Sequence, residues 1–230
     1  MHPNVIVAVL LLGGAAQSPP PSPPKAASEA PEPTARVRVD FDQGEMGKAP
    51  AGFSNVLCLK GEPGVWEIRT DAKATSGKQV LVQAGTDATD LRFPVLLYDK
   101  LTAKDVTVAT RFKALLGKVD QAAGLVARFK DARSYYLARA NALEGNVCLF
   151  KVVGGVRNQL ATADVPVSAN EWHALKLELR ERHFKVSLDG KVVIEADDGT
   201  YRDAGKAGLW TKADSVTAFD DFEIDGFDDL

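Results

Sequence analysis

Two adjacent segments between residues 124 and 141 carry side chains suited to binding a sugar. In the segment RSYYLARAN, Tyr135, Arg139 and Asn141 alternate on one face of a predicted strand. Arg128 in GLVARFK joins that face if the two strands pair through the turn DARS. Aromatic rings stack on the apolar face of a pyranose, and arginine and asparagine donate to hydroxyls. The alternation predicts that these four residues share one ligand-binding face. The alternative is an exposed sheet face that binds no ligand, on which an arginine and a tyrosine contact each other across strands. Trp210 in GLWTK is a further ligand-binding candidate; we expect its ring in the core or in the wall of the cleft, with an exposed stacking platform as the alternative.

A second group of chemically active residues lies near the C-terminus, in the segment FDDF. Its two phenylalanines cannot both face inward in a regular strand, so the segment predicts a bulge or an edge position. Asp220 or Asp221 could bind a structural calcium together with Asp40 or Asp42, if the terminal strands pair. Calcium takes several oxygen ligands, which aspartate-rich strand ends supply. The alternative is that these aspartates are solvated near turns.

The sequence contains few residues that could support catalysis by a histidine, a serine nucleophile or a metal. The chain has three histidines, and His173 falls on a leucine-rich face, which is typical of a core histidine. There is no GxSxG or HExxH motif and no cluster of Cys and His with metal-ligand spacing. Cys58 and Cys148 are the only cysteines, and they could form a disulfide or remain as two buried thiols.

The elements that must position these residues have a period of two. In EWHALKLELR the leucines and His173 share one face, and the charged residues share the other. In HFKVSLDGKVVIEAD, Asp189-Gly190 suits a two-residue type I′ hairpin turn. About a dozen short strands with Gly and Asp turns, and no segment of helical period, predict an antiparallel β-sandwich.

The N-terminus predicts export. An unbroken apolar run at 5–12 is followed by small residues at 14–16, which is typical of a signal peptide and too short to span a bilayer. Seven of the twelve prolines lie in 18–35, a composition typical of a disordered spacer. We therefore predict a signal peptide at 1–16, a proline-rich linker at 17–35 and one folded domain at 36–230. The mature protein is expected in the periplasm or outside the cell, without a membrane span.

The composition excludes one class of partner. The chain has 230 residues, with 28 basic and 31 acidic side chains and 45% hydrophobic residues, enough for a substantial core. The basic residues form no stripe, so nucleic acid is not expected as a partner. The oligomeric state does not follow from the sequence.

The order of the C-terminal pieces resembles a known superfamily. The segments NEWHALKLELRERHFKVSLDGKVV and AGKAGLWT, the closing FDDF, and YYLARANALEGNVCLFKVVGGVR are similar to concanavalin A-like lectins and glucanases, the laminin G-like jelly rolls. Within that group the chain resembles secreted bacterial domains described as 3-keto-disaccharide hydrolase or family 16 glycoside hydrolase-like. The resemblance covers about 37–225. It implies an all-β, antiparallel β-sandwich of concanavalin A-like jelly-roll type, with sugars bound on a concave sheet face.

The catalytic signature of family 16 is only partly matched. That family carries two or three carboxylates in an ExDxxE pattern on one strand, and its nearest counterpart is EIDGFD, with Glu223, Asp225 and Asp228. A glycine interrupts this segment, it ends in Asp, and it lies at the C-terminus. We therefore predict an exported carbohydrate-binding domain without catalytic residues. The alternatives are a glycoside hydrolase or 3-keto-glycoside-cleaving hydrolase, as the resemblance implies, and a structural or protein-adhesion module.

Overall fold

The computed structural model describes residues 32–228, and all of its regular structure is β. The predicted signal peptide and most of the predicted linker lie outside the described residues. Among the described residues there is no helix that is long and apolar enough to cross a membrane. The strands are β1 Ala35–Val39, β2 Phe53–Leu59, β3 Trp66–Thr70, β4 Gln79–Gln83, β5 Arg92–Ala103, β6 Val106–Leu116, β7 Ala122–Asp131, β8 Ser134–Asn141, β9 Asn146–Val153, β10 Val156–Asp164, β11 His173–Arg180, β12 His183–Leu188, β13 Lys191–Asp197, β14 Gly205–Trp210 and β15 Val216–Gly226.

These strands form two antiparallel sheets. The first has the order β13-β12-β11-β6-β15-β4-β3, with β1 also paired to β15, and the second has the order β10-β9-β8-β7-β14-β5-β2. The predicted all-β sandwich is confirmed. Neighbours in these orders are often distant in sequence, as in the pairs β6–β15 and β7–β14.

Alternating apolar side chains explain how the two sheets pack. The largest apolar cluster lies between the two sheets, and we call it the main core. Leu175, Leu177 and Leu179 of β11 are buried in it, as the period of two predicts. His173 begins the same face; its Nδ1 lies 2.8 Å from Asp189 Oδ2, and its Nε2 accepts from the amide of Ser168 at 3.0 Å. It is therefore a core histidine with both ring nitrogens partnered, as predicted.

Two local features predicted from the sequence, a hairpin turn and a β-bulge, are present. The β12–β13 hairpin turns at Asp189 and Gly190, with φ of 49° and 79°, in the left-handed region that a type I′ turn requires. In β15 the register shifts between Asp220 and Glu223, and Asp221 has φ of 46°. This bulge lets both phenylalanines of FDDF enter the main core.

Candidate functional site

The face of the second sheet that points away from the first sheet carries a second apolar cluster. It includes Tyr135 and Leu137 of β8, Phe150 of β9, Phe93 of β5 and Trp210 of β14. Trp210 packs against Phe93 with ring centroids 5.3 Å apart. Trp210 is fully buried, so it is a wall of this face and not an exposed stacking platform.

One arginine shows how strongly this sheet is curved. Arg157 lies on the edge strand β10, and Phe93 lies five strands away on β5. At the usual strand spacing, a flat sheet would separate β10 and β5 by roughly 24 Å. Instead the Arg157 guanidinium carbon lies 5.1 Å from the centroid of Phe93 and 4.8 Å from that of Phe150. The second sheet therefore curls, and we call its outer surface the concave face.

Charged side chains gather at one end of the concave face, near the start of β7 and the end of β8. Lys212 forms ion pairs with Asp120 at 2.9 Å and with Asp90 at 2.7 Å. Asn141 donates to the other oxygen of Asp120 at 2.7 Å. On the neighbouring strand Arg139 pairs with Glu144 at 2.9 Å. The main chain of Arg157 lies at the other end of this face, opposite Val152, but its guanidinium extends over the ring of Phe150 towards Arg139. We call this set the polar rim; its members are Asp90, Asp120, Arg139, Asn141, Glu144, Arg157 and Lys212.

Burial and nearby charges shift the pKa values of three groups in the polar rim. Burial raises the pKa of Asp120, and the ion pair with Lys212 only partly offsets it. The hydrogen bond from Arg139 lowers the pKa of Glu144. Burial lowers the pKa of Arg157, and the nearby positive charge of Arg139 acts in the same direction. The rim thus places cations and carboxylates together in a partly desolvated setting.

Two arginine nitrogens on this face lack a partner. Arg157 Nη1 and Arg139 Nε are buried and have no hydrogen-bond partner within residues 32–228. Buried donors without a partner are uncommon in proteins because their desolvation is not compensated. Here both belong to guanidinium groups that flank the ring of Phe150, whose centroid is 5.8 Å from Arg139. A ligand with hydroxyl oxygens could accept from them.

The predicted ligand-binding residues are only partly brought together. Tyr135, Arg139 and Asn141 share the concave face, as the alternation in β8 predicts. Tyr135 is only 1% exposed, however, because it is packed within the apolar cluster, where its ring stacks on that of Phe129 with centroids 5.1 Å apart. Tyr135 therefore offers no exposed ring on which a sugar could stack, contrary to the role predicted from the sequence.

Arg128 does not share this face, contrary to the prediction. The pairing of β7 with β8 shifts after Ala127, and Arg128 has φ of 46°, so the alternation breaks at this residue. Its buried guanidinium points to the end of the sandwich and donates to the carbonyls of Lys104, Glu181 and Tyr201. A one-residue bulge moves a side chain to the other side of a sheet.

The aspartates of FDDF have protein partners. Asp220 accepts hydrogen bonds from the amide and hydroxyl of Thr75 and from the amide of Ser76, at 2.8 to 3.1 Å. Asp42 accepts from the amides of Lys78 and Gln79. Among residues 32–228 there is no group of three or more His, Cys, Asp or Glu that could hold a metal ion. These contacts do not favour calcium at this position, and calcium stays a prediction.

The two cysteines and the acidic C-terminal segment are the remaining candidates from the sequence. Cys58 and Cys148 are both free and buried on the concave face. Glu223 and Asp225 form ion pairs with Arg38 of β1, at 3.2 and 3.0 Å. Asp228 accepts from main-chain amides of the β5–β6 turn. The acidic segment EIDGFD is thus held by the first strand and this turn, away from the concave face.

Sequence reasoning missed Arg157 and the loop members of the polar rim, Asp90, Asp120, Glu144 and Lys212. A signal for Arg157 was available. Gly154 and Gly155, both with positive φ, form a two-residue hairpin loop that pairs Arg157 with Val152. That register puts Arg157 on the face of Phe150. The loop residues carried no such signal, because their positions depend on the curl of the sheet and on ion pairs.

Comparisons with known proteins agree with this architecture. Residues 90–227 match the model of a family described as the C-terminal lectin domain of galactocerebrosidase. A segment of 80 residues is 35% identical to levanase of Bacillus subtilis strain 168; it is 35% of this chain and only 12% of levanase.

Solved structures share the fold. The carbohydrate-binding module CBM66 from Bacillus subtilis superposes with a TM-score of 0.60 at 24% identity, over 76% of this chain and 96% of that module. Domain 4 of AbnA, an extracellular GH43 arabinanase from Geobacillus stearothermophilus in complex with arabinotriose, superposes with a TM-score of 0.57 at 12% identity, over 86% of this chain and 94% of that domain. The resemblance to concanavalin A-like jelly rolls is confirmed. Because the family model matches more than half of the chain, the chain belongs to the family of the galactocerebrosidase C-terminal lectin domain, a family of carbohydrate-binding β-sandwiches.

Proposed function

We propose that this domain binds a neutral carbohydrate on the concave face, at the polar rim, without cleaving it. The observation that carries the proposal is the pair of buried, unpartnered nitrogens on Arg139 and Arg157 within the part of the chain that the structure describes. Sugar hydroxyls accept from guanidinium groups and donate to carboxylates, so they would supply both missing partners.

The charges of the polar rim favour a neutral ligand. Three cations, Arg139, Arg157 and Lys212, stand against three carboxylates, Asp90, Asp120 and Glu144. A balanced set neither attracts nor repels a net charge, but it offers donors and acceptors to vicinal hydroxyls. Arg139 and Asn141, predicted from the sequence, contribute through the rim, and Tyr135 and Trp210 contribute as its apolar floor.

The experiment is a glycan array followed by isothermal titration calorimetry. The panel includes levan oligosaccharides because of the levanase segment, arabinotriose because of the structural neighbour, and galactose-containing oligosaccharides because of the family. Arg157→Ala should weaken binding by about 1.5–3 kcal/mol, the usual contribution of a hydrogen bond to a charged group. Arg111→Ala is the matched control, because it removes an exposed arginine from the outer face of the first sheet. Equal affinity in Arg157→Ala and the wild type would refute the site.

A second candidate function is hydrolysis of a glycoside or 3-keto-glycoside. The raised pKa of buried Asp120 favours it, because a protonated carboxyl can act as a general acid. Against it, Asp120 is held on both oxygens by Asn141 and Lys212. Sugar-release assays on keto-glycosides and unmodified glycosides distinguish the two functions. If the wild type cleaves one of these substrates and Asp120→Asn abolishes the cleavage, the domain is a hydrolase and the proposal of binding without cleavage is wrong.

We further propose that the domain acts outside the cytoplasm. The support is the sequence at 1–16, which lies outside the described residues. N-terminal sequencing of protein recovered from the periplasm or medium should give a start after residue 16. Cytosolic protein that retains residues 1–16 would contradict export.

A further inference from the structure

A small basic cavity lies at the opposite end of β7 from the polar rim. It has a volume of about 200 Å³ and is lined by Lys104, Glu181, Arg182 and Arg202. Asp120 precedes β7 and Arg128 lies near its end, so the strand separates the two places by roughly 25 Å. The cavity is therefore distinct from the candidate sugar site.

The cavity is assembled from three separate parts of the chain. Lys104 lies in the β5–β6 turn, Arg182 lies in the β11–β12 turn, and Arg202 lies in the segment that leads into β14. All three side chains are exposed, and none forms a salt bridge with another residue in the range 32–228. Three cations without a salt-bridge partner in this range therefore line one small cavity.

Buried Arg128 holds these three parts together. Its Nε donates to the carbonyl of Lys104 at 2.7 Å, its Nη1 to that of Tyr201 at 2.6 Å, and its Nη2 to that of Glu181 at 2.7 Å. These carbonyls belong to Lys104 itself and to the residues just before Arg202 and Arg182. One guanidinium therefore fixes the main chain under every basic side chain of the cavity, which reduces the entropy lost when a ligand binds.

The charge of the lining selects the class of ligand. The lining has three cations and one carboxylate, Glu181. Two further carboxylates lie close by, but each has its own cation: Asp105 pairs with Arg128 and Asp203 pairs with Lys130. The lining therefore keeps an excess of positive charge, in a chain whose net charge is −3. Guanidinium groups donate paired hydrogen bonds to planar or tetrahedral oxyanions, and lysine adds a point charge. We propose that this cavity binds an oxyanion: a carboxylate, sulfate or phosphate group.

The test is a titration followed by two-dimensional ¹H–¹⁵N NMR at constant ionic strength. The probes are sodium sulfate, trigalacturonate and neutral galactotriose. Sulfate or trigalacturonate should give saturable shifts in the amides around residues 104, 182 and 202. Arg182→Ala and Arg202→Ala should each weaken that binding about tenfold or more, because each removes a charged donor. Glu181→Gln should strengthen it, because it removes the only negative charge of the lining.

Lys191→Ala is the matched control. It also removes one exposed positive charge, but it lies after the turn at the far end of β12. Tighter binding of trigalacturonate than of sulfate identifies an anion carried by a glycan, and the reverse order identifies a free anion; both support the site. The proposal fails if neither anionic probe gives saturable shifts, if galactotriose gives the same shifts, or if Lys191→Ala weakens binding as much as Arg182→Ala. Arg157→Ala should leave this titration unchanged, so the sugar site and the oxyanion site can fail independently.

Discussion

Tyr135 and Tyr136 are consecutive in β8 and both are buried, but they pack on opposite faces of the second sheet. Tyr136 lies in the core between the sheets, where its hydroxyl donates to Asp198 at 2.7 Å and accepts from the amide of Tyr201 at 3.0 Å. Tyr135 lies under the concave face and stacks on Phe129. The strand therefore connects the structural core directly to the floor of the candidate sugar site.

This pair gives the first prediction. Tyr135→Ala and Tyr136→Ala should each lower the free energy of unfolding by roughly 3–5 kcal/mol, the range for truncating a buried aromatic side chain. Tyr136→Phe should cost about 1–3 kcal/mol, because it leaves the buried partners of the hydroxyl unsatisfied. Urea unfolding monitored by circular dichroism measures these changes. A Tyr135→Ala variant as stable as the wild type would mean that Tyr135 is exposed after all.

The sequence predicted the alternation correctly wherever a strand is regular. The faces of β8 follow from the period of two, and the turn at Asp189-Gly190 and the bulge in FDDF follow from local residue chemistry. Arg128 was assigned to the wrong side because no glycine or proline stands at the β7 bulge, which follows Ala127. A single extra residue reverses every alternation argument beyond it.

The candidate sugar site depends on contacts between residues that are far apart in the sequence, and no local sequence pattern predicts those contacts. Asp90, Asp120 and Lys212 come from three loops that are distant in sequence, and their ion pairs are set by where those loops end. The contact of Arg157 with Phe93 depends on the total curl of the six strands from β10 to β5. Strand periodicity reports which face a residue occupies, and it carries no information on curvature.

The second prediction concerns acid stability. Burial opposes ionisation of Asp198, but hydrogen bonds from Lys151, Thr200 and Tyr136 outweigh it and hold its pKa well below the ordinary value. A carboxyl with a lowered folded-state pKa binds its proton more readily in the unfolded chain. Its stabilisation is therefore present above about pH 4 and is lost as the pH falls below that value.

Urea unfolding between pH 7 and pH 3 measures this effect. Asp198→Asn should be less stable than the wild type at pH 7, and the difference should shrink as the pH falls. Asp164→Asn is the control, because Asp164 is exposed near the end of β10. A constant difference between Asp198→Asn and the wild type across this range would contradict the assignment.

The third prediction concerns the two thiols. Burial raises the pKa of the Cys58 thiol to about 12, and Cys148 is 3% exposed on the same face. Thiolates, not thiols, react with disulfide reagents, so both cysteines should resist Ellman's reagent in the native protein at pH 8. In denaturant the reagent should detect two thiols per chain without prior reduction. Detection of none until a reductant is added would establish the disulfide that the sequence left open.

The last prediction concerns the loop that Asp220 holds. Its carboxylate accepts from Thr75 and Ser76 and also from the amide of Asp221 at 2.8 Å, so Asp220→Ala leaves several donors without a partner. We expect this variant to lose about 3 kcal/mol or more of the free energy of unfolding, measured in urea. If protein donors alone satisfy this carboxylate, millimolar calcium and EDTA should leave the thermal midpoint of the wild type unchanged. A calcium-specific rise in the midpoint that magnesium does not reproduce, and that Asp221→Asn removes, would instead establish a structural calcium at the FDDF bulge.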